Sequence, residues 1–269
     1  MTDILVESTP SEMIEANQRN LLNFFLMTSK SSKGIYYFDQ NGIEGLNSFI
    51  PVSILNRIIK TNTTAKNLED KFDYIKKMYH DKNIPMYWEI WSNSLPSNIR
   101  EILQEYGFKY DSEFPAMVLE HTQIPENKSI SLNIKKVDNE DEAIILADLF
   151  SEIYGVPEPA RDGFLNTVLS TGFDINSKLV NYIGYEDEKP VCISSVYYDS
   201  GVVGIYNVGT IEGYNRKGYG TEITLFPLME AKENGYKYMM LQSSEQGLKV
   251  YHRMGFKVLS RVETFKLEP

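Results

Sequence analysis

The stretch Asn215-Arg216-Lys217-Gly218-Tyr219-Gly220-Thr221 decides how this chain is read. The apolar run Val202 to Val208 precedes it and reads as a strand, and Glu222 to Glu233 follows it and reads as a helix. Glycines at i and i+2 let the backbone approach a bound group, because no Cβ intervenes. A helix that starts there offers unpaired N–H groups and the positive end of its dipole. Arg216 and Lys217 add two cations. Such a turn suits a phosphate or a pyrophosphate.

Working back from this turn, Val202 to Thr210 is the last of three strands, after Leu179 to Tyr185 and Val191 to Tyr198. Asp187-Glu188-Lys189-Pro190 and Asp199-Ser200-Gly201 supply the turns between them. Earlier, Leu132 to Val137 reads as a strand, and Asn139 with Glu142 caps a helix with the stripe Leu146, Leu149, Phe150 and Ile153. A short helix covers Arg161 to Leu169. Beyond the turn come a helix ended by Asn234-Gly235, a strand Tyr238 to Gln242, a helix Glu245 to Met254 and a final strand pair. Pro227 lies inside the first of these helices, where a missing N–H predicts a bend.

The first half repeats the scheme. Thr9 and Glu12 have capping-box spacing ahead of a helix from Pro10 to Phe25. A hairpin turns at Asn41-Gly42, a helix covers Leu68 to His80, Met86 to Trp91 is an aromatic-rich strand, and Gly107 ends a helix from Pro96. A strand pair follows Phe108, then a linker from His121 to Ser129. Tyr106-Gly107-Phe108-Lys109 matches Met254-Gly255-Phe256-Lys257, and residue numbers 106 and 254 differ by 148. The same offset pairs Ser112 with Ser260, Leu119 with Leu267 and Glu120 with Glu268. Two copies of one α/β fold in tandem are expected, over residues 1–127 and 128–269.

Composition narrows the classes. The 269 residues are 42% hydrophobic and 24% charged, as in globular proteins, and no apolar run spans a membrane. The acidic N-terminus does not read as a signal peptide, and a cytoplasmic protein is expected. A net charge of −10 argues against nucleic acid as a partner and is compatible with a cationic amine. The one cysteine, Cys192, is expected to be a buried small hydrophobe. His80, His121 and His252 lack metal-ligand spacing, so no metal is expected.

From about Leu132 to Pro269 the chain resembles the GNAT superfamily of acetyl-CoA-dependent N-acetyltransferases. The resemblance rests on Val208-Gly209-Thr210 followed by Arg216-Lys217-Gly218-Tyr219-Gly220-Thr221, and on Leu241-Gln242-Ser243-Ser244 followed by Tyr251-His252-Arg253-Met254-Gly255-Phe256. It implies an α/β (α+β) fold of tandem GNAT-like domains, each a mixed, mostly antiparallel sheet flanked by helices. It also implies acetyl-CoA as cosubstrate and no metal. Val208, Gly209 and Thr210 would lie on a splayed central strand beside the pantetheine arm. Arg216, Lys217, Gly218, Tyr219, Gly220 and Thr221 would enclose the pyrophosphate. Ser244 would stand near the cofactor arm. Tyr251 would be the general acid that protonates the leaving thiolate. The family motif usually begins with Gln or Arg, where this chain has Asn215.

The implied reaction is acetyl transfer to a primary amine of a small molecule or peptide by direct attack, in a monomer or homodimer. A backbone N–H of the Val208 strand would hold the oxyanion. Tyr206, Asn207 and Glu212 are near enough in sequence to be considered as a base, and the sequence does not choose among them. Tyr154 and Phe164 lie on the helices expected to roof the acceptor site. The first half has Thr61-Asn62-Thr63-Thr64 in place of a glycine turn, and Leu103 where the offset places Tyr251. It reads as a degenerate copy without the cofactor motif. The alternative is a CoA-binding sensor or interaction protein on the same fold.

Overall fold

The computed structural model describes residues 4–50, 52–80, 83–124, 130–174 and 177–269. Helix α1 (Pro10–Ser31) starts at the expected capping box. The Thr9 N–H donates to the Glu12 carboxylate at 2.7 Å, and the Glu12 N–H donates to the Thr9 hydroxyl at 3.3 Å. It runs past the expected end at Phe25 to Ser31.

Strands β1 (Ile35–Asp39) and β2 (Ile43–Ser48) form the hairpin at Asn41 and Gly42, both left-handed with φ of 57° and 86°. Strand β3 (Arg57–Thr61), missed in the sequence, precedes α2 (Ala65–His80) and β4 (Met86–Ile90). Helix α3 (Ile99–Glu105) leads to β5 (Lys109–Glu120). Residues 125–129 of the expected linker lie outside the described residues.

The second half contains β6 (Asn133–Lys136), α4 (Glu140–Tyr154), α5 (Glu158–Thr171), β7 (Leu179–Glu186), β8 (Lys189–Asp199) and β9 (Val202–Thr210). These are followed by α6 (Tyr219–Glu233), β10 (Tyr238–Gln242), α7 (Glu245–Arg253) and β11 (Lys257–Leu267). Helix α6 continues through Pro227. The Ile223 carbonyl, which the missing N–H of Pro227 leaves without a helical donor, accepts instead from the Ser194 hydroxyl of β8 at 2.8 Å.

All these strands form one mixed sheet, in the order β1-β2-β3-β4-β11-β5-β10-β9-β8-β7-β6. Each half gives its last strand to the other. Strand β5 of the first half pairs with β10, and β11 of the second half pairs with β4. The strand pairs expected after Phe108 and Gly255 are therefore single long strands of 12 and 11 residues. Each lies between a partner of the opposite half and its own repeat. The ends of the halves also match in detail. Phe108 N–H donates to Leu103 O, and Phe256 N–H donates to Tyr251 O, both at 3.0 Å, with Gly107 and Gly255 left-handed.

Helix α1 crosses the junction. Leu21, Phe25, Leu46, Trp91, Leu179 and Tyr197 form one buried cluster drawn from both halves. Burying each such side chain contributes about 1.5–3 kcal/mol, so α1 holds the halves together. Gly204 of β9 admits α1 closely, because a Cβ there would meet Asn20 Oδ1 at 2.0 Å. Val203 and Ile205 join the main core with Ile223 and Leu228 of α6. Cys192 is buried in that core, which pushes its thiol up to about 12.

Candidate active site

Strands β9 and β10 run parallel and pair at Val203–Met239 and Gly204–Met240. Beyond these positions they diverge. Residues 202 to 205 of β9 are buried, whereas residues 206 to 210 are half-buried. Asn207 sits at φ 53° inside the strand, where the register with β8 slips between Ile193 and Ser195. The result is a V-shaped opening between two central strands, with Val208, Gly209 and Thr210 on one arm.

The arm is shaped by α4. The Tyr154 hydroxyl donates to the Val208 carbonyl at 2.9 Å. Gly209 is required beside it, because a Cβ there would meet Ile153 Cγ2 at 2.4 Å. Tyr154 therefore does more than roof the opening. It fixes the strand that lines it.

The turn after β9 forms an anion cradle. Arg216 and Gly218 are left-handed, at φ 66° and 94°. Alternation of this kind turns successive N–H groups to one side. The first bonds into α6 are Thr221 N–H and Glu222 N–H to Gly218 O, at 2.9 and 3.2 Å. Among the described residues, the N–H groups of Lys217, Gly218, Tyr219 and Gly220 have no acceptor. Nothing lies within 4 Å of a Cβ built on Gly218 or Gly220, so the space over the cradle is open.

The two cations differ. Arg216 is exposed and has no ion-pair partner among the described residues. Lys217 pairs with Glu186 at 3.0 Å and lies over the Tyr214 ring at 4.8 Å. The Tyr219 hydroxyl also bonds Glu186, and this bond, with that from Lys217, holds the carboxyl below the usual range. Only the backbone of Tyr219 is therefore available to the cradle.

Tyr251, on α7, contacts Phe256 edge-on at 5.6 Å. Burial pushes its hydroxyl up to about 12, with a hydrogen bond to Thr224 of α6 pulling the other way. It is close enough to Tyr154 to raise that hydroxyl further, beyond the larger effect of burial. Thr224 in turn donates to Gly220 O at 2.7 Å, which links Tyr251 to the cradle. Ser244 is the N-cap of α7 and accepts from Gly247 N–H at 3.1 Å. Capping accounts for this serine without any ligand.

Sequence reasoning missed the role of α1. Asn17 and Asn20 lie one turn apart on it, so they share a face. Asn17 Oδ1 accepts from Gln242 Nε2 at the end of β10, at 2.6 Å. Asn20 Oδ1 accepts from the Tyr206 hydroxyl of β9 at 2.7 Å. One helical turn of the first half thus spans the V on one side. The orientation of Asn20 is fixed, because its Nδ2 donates to the carbonyls of Tyr197 and Asp199 at 3.2 and 2.9 Å. Desolvation of the Tyr206 hydroxyl raises its pKa, and its one proton is committed to Asn20. Asn207 Nδ2 is likewise committed to Ser195 at 3.2 Å. Neither is placed to act as a base.

In the first half, β3 and β4 also pair at only two positions, Arg57–Tyr87 and Ile58–Trp88. There the chain itself rejoins the strand ends. Leu95 N–H donates to Thr61 O at 2.9 Å, and Thr63 N–H donates to Leu95 O at 3.3 Å. In the second half, Ser243 N–H, just after β10, turns away to Pro115 O of β5 at 2.9 Å. Among the described residues, the second V is the one left open.

Among the described residues no helix is long and apolar enough to cross a membrane. Comparison with known proteins agrees with this geometry. Residues 145–256 match the acetyltransferase (GNAT) family. No curated protein sequence matches the chain significantly. Among solved structures, a GCN5-related N-acetyltransferase from Kribbella flavida is similar at TM-score 0.68, with 14% identity over 98% of this chain and 97% of that one. A tandem GNAT protein from the clavulanic acid biosynthesis pathway is similar at TM-score 0.62, with 9% identity over 94% of this chain and 95% of that one. A GCN5-related N-acetyltransferase from Sphaerobacter thermophilus is similar at TM-score 0.58, with 14% identity over 76% of this chain and 67% of that one. At such identities the likeness is one of fold. The segment matched to the acetyltransferase (GNAT) family holds β9, the turn at Gly218, α6, β10 and Tyr251, and the fold of the whole chain is similar to that of a tandem GNAT protein.

Proposed function

We propose that this chain is an N-acetyltransferase that moves an acetyl group from acetyl-CoA to a primary amine of a small molecule or peptide. The carrying observation is the single open V, which ends on a cradle of unpaired N–H groups with room above it. Such a cradle suits the pyrophosphate of CoA, with Gly218 and Gly220 leaving space for it and Arg216 supplying charge. The arm Val208-Gly209-Thr210 lines the path that pantetheine would take. Ser244, the cap of α7, would stand near that arm.

In this reading the neutral amine attacks the thioester carbonyl. The C–N bond forms, the C–S bond breaks, and the thiolate takes its proton from Tyr251. The surplus proton of the amine leaves to water, and water returns one to the Tyr251 oxygen. A hydroxyl held near 12 stays protonated at neutral pH and is available as a general acid. The unit 128–269 carries this chemistry, while 1–127 keeps the fold, closes its own V and covers one side of the other. We place the protein in the cytoplasm, as a monomer or homodimer.

One observation favours a second reading, a CoA-binding sensor without turnover. Of the three residues considered as a base, Tyr206 and Asn207 are committed elsewhere, and Glu212 is exposed past the end of β9. A thiol-release assay with acetyl-CoA and a panel of amines separates the two. Turnover that depends on an added amine supports the transferase, and acetyl-CoA binding without turnover on any amine supports the sensor.

A further inference from the structure

Lys217 belongs to the cradle by its backbone and to another group by its side chain. Its N–H has no acceptor among the described residues, while its Nζ donates to both oxygens of Glu186, at 3.0 and 3.2 Å. Glu186 is the last residue of β7, and the Tyr219 hydroxyl bonds the same carboxylate. Neither member of the ion pair is deeply buried: the side chains are 45% and 30% exposed. Pairs this close to solvent hold weakly.

A second cation stands beside this pair. Asp187 and Glu188 are left-handed, at φ 48° and 68°, and turn the chain so that Lys189 lies directly opposite Glu186 in the β7–β8 ladder. Side chains placed in this way are neighbours on one face of the sheet. The Lys189 Nζ lies 4.7 Å from the centre of the Tyr214 ring, and the Lys217 Nζ lies 4.8 Å from the same centre. Among the described residues, Lys189 has no ion pair. Two lysines thus stand by one carboxylate, and Lys217 is the one bonded to it.

The pair does not shape the cradle. The left-handed Arg216 and Gly218 turn its backbone, and Gly218 O receives the first bonds into α6. Glu186 therefore acts on the charge of the cradle and not on its form. A pyrophosphate is doubly charged, and a lysine is a point charge on a flexible stem that can reach it. When Lys217 leaves, Glu186 is not stranded, because Lys189 and the Tyr219 hydroxyl remain beside it.

We infer that Glu186 competes with the cofactor for Lys217, and that Lys189 favours the exchange by taking the place of Lys217 at Glu186. Bound acetyl-CoA then has Lys217 as well as Arg216 at its pyrophosphate. Glu186 and Lys189 are positioning residues that set cofactor affinity without touching the cofactor. This rests on the acetyl-CoA reading given above.

The test is isothermal titration of the full chain and its variants with acetyl-CoA. Glu186→Gln keeps an acceptor for the Tyr219 hydroxyl and releases Lys217, so the Kd should fall about fivefold. Lys217→Met should weaken binding about tenfold and cancel the gain from Glu186→Gln. Lys189→Met leaves Glu186 with Lys217 alone, and should weaken binding about fivefold in the wild-type background and less than about twofold in the Glu186→Gln background. Thermal melting reports whether each variant folds. If Glu186→Gln does not, Lys189→Met in the Lys217→Met background decides, since its effect should vanish there too. A folded Glu186→Gln that binds no tighter than wild type overturns the inference, and weaker binding marks the pair as a support of the loop. An equal effect of Lys189→Met in both backgrounds overturns the exchange. Any of these results with acetyl-CoA still bound defeats this inference alone. No binding of acetyl-CoA by the wild type or by any folded variant defeats the acetyl-CoA reading and this inference with it.

Discussion

Phe114 and Val262 pair across the β5–β11 ladder, and they are the same position of the two halves. Their numbers differ by 148, the offset that aligns the two helix–Gly–Phe segments. The ladder is irregular twice, once where Asp111 is passed over and once where Leu259 is. Those positions are also 148 apart. The repeat is therefore built around a local two-fold relation at the centre of the sheet, where the terminal strands cross over.

The exchange makes the halves dependent. Removing residues 1–127 strips β5 from β10 and α1 from β9. An unpaired central strand is an aggregation hazard. We predict that the fragment 128–269 alone is insoluble or lacks a cooperative melt by circular dichroism. Co-expression with 1–127 should restore a soluble complex on gel filtration. A monomeric, cooperatively folded 128–269 would show that the exchange is dispensable.

Ser194 and Pro227 form a coupled pair through Ile223. Ser194→Ala should cost about 1–3 kcal/mol in urea unfolding, because it leaves the Ile223 carbonyl buried and unpaired. Pro227→Ala supplies a helical N–H to the same carbonyl. In that background Ser194→Ala should cost clearly less. Equal costs in both backgrounds would refute the coupling.

Tyr251→Phe should lower kcat about a hundredfold and leave the acetyl-CoA Kd nearly unchanged by calorimetry. An unchanged kcat removes Tyr251 from the acid role. The same residue affects stability at high pH. Its pKa in the fold, about 12, lies above the ordinary 10.0, so the neutral form is favoured by folding. Stability from this source is complete below about pH 10 and is lost as pH rises through about 12. Urea midpoints should be flat from about pH 7 to 9.5 and fall beyond, less steeply in Tyr251→Phe.

Much of the fold was legible where the signal is local. The Thr9–Glu12 box, the Asn41-Gly42 hairpin, and the glycines that end α3 and α7 are set by neighbours a few residues apart. The turn after β9 was legible for the same reason, since Gly218 supplies one of its left-handed positions. Strand partners were not, because alternation in β5 or β11 says which face is buried and nothing about which strand lies alongside. The ion pair of Lys217 with Glu186 and the reach of Asn17 and Asn20 to the V depend on how distant segments pack, and no spacing in the sequence records them.

The central claim is one acetyl-CoA site per chain, in the V between β9 and β10 above the Gly218 cradle. Isothermal titration of the full chain with acetyl-CoA tests it most directly, with Gly218→Val run alongside. A valine at φ 94° is strained by about 1–2 kcal/mol and places its methyls in the open space over the cradle. The account predicts one molecule bound per wild-type chain, and at least tenfold weaker binding by a folded Gly218→Val. No binding, two molecules per chain, or undiminished affinity in the variant would contradict it.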